Sequence, residues 1–198
     1  MEDRKKTNDS QRIHTRLRKN FNLITNITSI SIVLAIILIV FTSVQFNHSL
    51  KSYGFIQGDI GKAMTVFADS RSALRAVIGY MDAGSISEQQ EIYFDKRDSF
   101  TTYFNSITEQ CNYSEAKKIC DNISSVIDDY WTLSDEIIRQ GATSDVNASN
   151  NAQRLEMNKL TPEYDTIYGY MKQLMDCYVT KGNAYKRQLN IIEFVCIA

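Results

Sequence analysis

Two patterns of apolar residues divide this chain. From Asn20 to Leu50 there is no Asp, Glu, Lys or Arg, and thirteen of the twenty positions from Ile27 to Phe46 are Ile, Val, Leu or Phe. A helix that crosses ~30 Å of hydrocarbon needs ~20 mostly apolar residues, so the stretch predicts a transmembrane helix at 21–48. After Lys51 the pattern changes to apolar positions at steps of three and four. The first segment reads Ile60, Met64, Phe67, Leu74, Ile78 and Met81, with Arg71 in the slot between Phe67 and Leu74. The second reads Tyr93, Phe100, Phe104, Ile107 and Cys111. The third reads Ala116, Ile119, Ile123, Val126, Tyr130, Leu133 and Ile137. The fourth reads Leu160, Tyr164, Ile167, Met171, Leu174, Tyr178, Tyr185, Leu189 and Ile192. Such spacing keeps one seam of each helix facing its partners. The expected fold is all-α: a membrane-anchored antiparallel up-down four-helix bundle, its first helix continuous with the N-terminal transmembrane helix.

The breaks between segments carry local signals. Ala83-Gly84-Ser85 is expected to end the first bundle helix, with Ser85-x-x-Glu88 or Ser87-x-x-Gln90 as a capping box for the second. Asn112 to Ser114 predicts a tight corner with Ser114 as N-cap. Gly141 stands where a glycine closes a helix, and the polar, aperiodic residues 142–151 read as a loop. Pro162, the only proline, is expected to kink a long last helix, because Leu155 and Leu160 already carry its stripe.

Charge orients the chain. Residues 1–20 hold seven Lys and Arg against three acidic residues, and short basic flanks stay in the cytoplasm. A cleaved signal peptide is the rival, but its apolar core would span only ~7–15 residues and end at small residues. Thr42-Ser43-Val44-Gln45-Phe46 has no such site, so an uncleaved anchor is expected. The domains are then 1–20, a basic cytoplasmic segment; 21–48, the membrane helix; 49–190, an extracytoplasmic sensor bundle; and 191–198, the start of a truncated second membrane helix. A single-pass chain with an apolar tail is the alternative. Residues 51–190 carry 15 basic and 19 acidic side chains, which offers nucleic acid no basic stripe.

The segment Ser70-Arg71-Ser72-Ala73-Leu74-Arg75 resembles the Ser-Arg-Ser-Ala-x-Arg stretch of amino-acid receptors among the methyl-accepting chemotaxis proteins. Tyr130-Trp131-x-Leu133-x-Asp135-Glu136 and Leu160-x-Pro162-x-Tyr164-Asp165 are similar to phrases of four-helix receptor domains. A further arginine of those receptors is replaced here by Val66, and their aromatic, Thr-Gln-rich stretch has no clear counterpart in 145–158. The resemblance implies a homodimeric receptor in a bacterial plasma membrane whose Arg71 and Arg75 bind a small anion, such as an amino acid or organic acid, at the subunit interface. Cytoplasmic signalling partners would be reached only through a region beyond residue 198.

Spacing alone puts Arg71 and Arg75 on one helix face. Arg71 falls on the apolar seam, where an unpaired charge costs several kcal/mol, so a partner is required. A guanidinium fork suits a carboxylate. Ligand binding is one outcome. An internal ion pair with Asp69 of a second subunit, Asp128 or Asp135 is the other. Lys96-Arg97, between Asp95 and Asp98, reads as a solvated face.

The remaining chemistry is sparse. Cys111 and Cys120 bracket the second corner, and a disulfide there would need Cα atoms within ~7 Å; two small buried thiols are the alternative. Cys177 and Cys196 read as packing. His14 and His48 lie on opposite sides of the expected membrane, which forms no zinc set or triad. No phosphate-binding loop or nucleophile elbow occurs, so neither enzyme activity, cofactor nor metal is expected. Gly54-x-x-x-Gly58 gives slight support to a dimer. The same input bundle also suits a sensor histidine kinase, a cyclic-dinucleotide enzyme or a single-pass dimeric adaptor without ligand.

Overall fold

The computed structural model describes the backbone of residues 2–197 and the side chains of residues 14–192. The side chains of Arg4, Lys5, Lys6 and Arg12 in the basic segment, and those of the apolar tail from Glu193, lie outside the described residues. All described elements are helical: α1 Glu2–Ser49, α2 Phe55–Gly79, α3 Ala83–Gln110, α4 Ser114–Gly141, α5 Val146–Leu155 and α6 Thr161–Ile197. π-helical turns at Leu50–Gly54 and Glu156–Leu160 fill the gaps before α2 and α6. The chain divides into two compact units, Met1–His48 and Ser49–Ala198.

In the first unit the apolar side chains from Phe21 to Phe46, apart from half-buried Leu38, remain exposed around the helix. By length and composition, the helical run His14–Gly79 suffices to cross a membrane, and none of its most apolar window is buried. The hydroxyls of Thr25, Thr28, Ser31 and Thr42 donate to carbonyls four residues back, so these polar side chains are satisfied within the helix itself.

The second unit is organised around Phe67 of α2. Its ring lies 5.1 Å from Phe100 of α3, 4.9 Å from Tyr130 of α4 and 5.0 Å from Tyr164 of α6, with Trp131 edge-on at 5.7 Å. Aromatic pairs at such separations add about 0.5–1.5 kcal/mol each beyond their burial. Contacts descend along α3 as they ascend along α2: Asp59 meets Ser106, Lys62 meets Tyr103 and Phe67 meets Phe100. The expected stripes of α3, α4 and α6 supply most of the core, including Tyr93, Ile107, Ile123, Ile137, Ile167 and Tyr178.

The punctuation differs from the sequence expectation. Chain reversal begins at Tyr80, whose ψ of 152° ends α2 four residues early and leaves Met81 exposed instead of on the seam. Asp82, not Ser85 or Ser87, caps α3, its carboxylate accepting from the Ser85 N–H at 2.8 Å. Ser114 is the first residue of α4, not its cap. Gly141 has no left-handed backbone. It is small because a Cβ there would stand 2.6 Å from Ala152 Cβ and 2.6 Å from Ile78 Cγ2.

The expected 142–151 loop is helical from Val146 onward. Asp145 caps α5 by accepting from Asn147 N–H at 2.9 Å, and burial of Ser149 and Ala152 holds the helix down. Helical backbone then continues past Pro162. Proline has no N–H for the carbonyl four residues back. Just before it the ladder loosens to a π turn, with Thr161 N–H bonded to the Glu156 carbonyl. Such one-turn π bulges are frequent at functional sites.

Candidate functional site

The π turn ahead of α6 delivers one carboxylate to both arginines of α2. Glu156 is 3% exposed, and its Oε1 accepts from Arg71 Nε at 3.2 Å and from Arg75 Nε at 2.8 Å. Thr161 links the group, accepting from Arg71 Nη2 at 2.6 Å and donating to the same Oε1 at 3.3 Å. Arg71 also stands over Tyr164, with its Cζ 4.1 Å from the ring centre. Burial pushes the Tyr164 hydroxyl above its ordinary pKa, and the Arg71 charge partly opposes that shift.

The two arginines therefore differ. Arg71, with a side chain 12% exposed, is held by a carboxylate, a hydroxyl and a ring. Arg75 is 50% exposed and engaged only through Nε, which leaves both terminal nitrogens without a partner among the described residues. It borders an open cavity of about 390 Å³ lined by Arg75, Ile78, Gly79, Gln153, Glu156 and Met157. Gln153 is fixed there by donating from Nε2 to the Ile78 carbonyl at 3.1 Å. Two guanidinium charges facing one carboxylate leave the cluster one net positive charge. That arrangement suits a small anion with an apolar portion.

Of the acidic partners considered for Arg71, neither Asp128 nor Asp135 is used. Asp135 instead accepts from Arg97 Nη1 at 2.9 and 3.0 Å and from the Tyr93 hydroxyl at 3.2 Å. Arg97 also stands 5.5 Å over Trp131, so it is a bonded strut between α3 and α4, not a solvated charge. Glu156 was absent from the sequence reading. The signal was present, since Glu156 stands four residues before Leu160 on the same stripe. No protein-family model, no curated protein and no solved structure matches the chain.

Proposed function

We propose that this chain is the input region of a transmembrane bacterial chemoreceptor that senses a small anionic ligand, an amino acid or organic acid. In this reading α1 is the anchor in the plasma membrane, with the N-terminus cytoplasmic and residues 49–190 outside as an up-and-down four-helix bundle. Two copies pair, and α6 carries the signal toward cytoplasmic partners. The observation that carries the reading is the charge imbalance at Arg71, Arg75 and Glu156 beside an open cavity. Arg75 supplies the free guanidinium edge for a carboxylate, and Arg71 fixes the carboxylate that orients Arg75. A ligand shifts the bundle only by its different affinity for two arrangements of the helices.

The test is calorimetric titration of the full chain in detergent with a panel of amino acids and dicarboxylates. Arg75→Ala is expected to weaken the effective carboxylates by about tenfold or more, the loss of one charge-assisted hydrogen bond of ~1.5–3 kcal/mol, with helicity unchanged. Unchanged binding in both Arg71→Ala and Arg75→Ala would overturn the reading. A chain that dimerises and binds none of the panel would be the adaptor instead.

A further inference from the structure

At the end of the core away from the arginines, the α3–α4 corner holds a second buried chemical group. Cys111 follows the last residue of α3, and Cys120 lies two turns into α4. Both are buried, and their sulfurs are 3.4 Å apart. The hydroxyl of Tyr178, from α6 and fully buried, donates to Cys111 Sγ at 3.5 Å. The two sulfurs thus have unequal surroundings. Cys111 accepts from the Tyr178 phenol and shares with Cys120 a thiol–thiol hydrogen bond in which either sulfur can donate. These bonds draw the Cys111 thiol below its ordinary pKa, while its bond to Cys111 and burial push Cys120 up. Cys177, beside Glu115 at 3.8 Å, is pushed up by burial and by that carboxylate.

We propose that Cys111 and Cys120 are a redox-active dithiol that closes to an intramolecular disulfide across the α3–α4 corner. Two free thiols whose sulfurs touch at 3.4 Å are placed for disulfide exchange, which starts from the thiolate form of one of them. The oxidant is a small or protein disulfide. Cys111 thiolate attacks one of its sulfurs, forming a mixed disulfide and expelling the other as thiolate. Cys120 then gives its proton to solvent, attacks Cys111 Sγ and expels the second thiol. Two thiols become one disulfide here, and one disulfide becomes two thiols on the oxidant. Access comes from the corner itself. Cys111, Asn112 and Tyr113 lie outside the helices, and Cys111 N–H makes a long 3.3 Å bond to the Thr108 carbonyl. Exposing the pair requires local opening of this corner, in which Tyr113 leaves its hydrogen bond to the Tyr53 hydroxyl. Closure converts the sulfur that accepts from the Tyr178 hydroxyl into half of a disulfide, which couples the redox state to α6. None of this depends on the ligand assignment.

The experiment equilibrates the full chain in detergent with reduced and oxidised glutathione, quenches with acid, unfolds, alkylates and maps peptides. In the oxidised buffer alkylation of Cys111 and Cys120 is expected to fall together by about tenfold or more. The two are recovered in one linked peptide, and Cys177 remains alkylated. Cys120→Ser should accumulate a glutathione adduct on Cys111, the trapped intermediate. Full alkylation of Cys111 and Cys120 after oxidation, or linkage of Cys111 to Cys177, would overturn the proposal.

Discussion

Two arginine–aromatic clusters stand in the same helical core and differ in how their charges are balanced and buried. Arg97 meets Asp135 one to one, over Trp131, with both side chains about a third or more exposed. Arg71 and Arg75 share one carboxylate that is almost wholly buried, over Tyr164. The first cluster is neutral and tied at every charged group. The second keeps a net positive charge and a guanidinium edge facing open space. Arg97 also borders a cavity, of about 320 Å³, but its charge is already matched by Asp135. An unbalanced pair held by burial keeps capacity for an incoming anion. Glu163 completes the series, since it forms no ion pair among the described residues and its Oε2 is buried without a hydrogen bond.

The comparison is broken most directly at Glu156. Glu156→Ala leaves Arg71 charged and enclosed, and removing one partner of a buried pair costs about 3–5 kcal/mol. Urea unfolding should show a loss near the lower end, because Arg75 reaches water. A loss no larger than that of Asp135→Ala would erase the distinction between the clusters. Next in size is Gly141→Ala, where the new methyl must displace both Ala152 and Ile78. Overpacking of this kind costs about 1–3 kcal/mol. Because it lifts α5, which leads into Glu156, it should couple energetically to Glu156→Ala in a double-mutant cycle and leave Asp135→Ala additive.

The ion-pair part of the Asp135→Ala loss is expected to be at most about 1 kcal/mol, as solvent screens the pair, and should shrink further in high salt. The part from the Tyr93 hydroxyl losing an acceptor should not. Glu163 gives the smallest change and the opposite sign. Burial and the nearby Asp129 raise its carboxyl pKa above the ordinary 4.5. The folded state therefore holds that proton more tightly than the unfolded chain. Its stabilising effect is complete below pH 4.5 and is lost as pH rises through the raised value. Glu163→Gln should melt higher than the parent at pH 7, with the gain vanishing in acid. A melting difference that is flat with pH would show that Glu163 is already relieved by water.

Much of the helical core was legible. The third segment shows why: Ala116, Ile119, Ile123, Tyr130 and Ile137 repeat at helical spacing and are buried. Helix boundaries were less so. α5 was hidden because Val146–Leu155 is mostly polar, and its stability comes from contacts distant in sequence, such as Ser149 donating to the Ile78 carbonyl. Propensity has no access to such a bond. Gly141 was recognised as special for the wrong reason, since a helix-ending glycine and a close-packed one look alike in a string of letters.

Helical structure, a stretch long and apolar enough to span a membrane, and the need of Arg71 on an apolar seam for a counter-charge are all written in the order of residues. Those follow from periodicity and from the cost of burying an unpaired ion, both local properties. Only the tertiary structure decided that Glu156 answers two arginines while Asp135 goes to Arg97. It alone brought Cys111 to Cys120 under Tyr178. Those choices depend on which helix packs beside which and on a single π turn before Pro162. They are set by the mutual fit of the whole core around Phe67, which no window of residues contains.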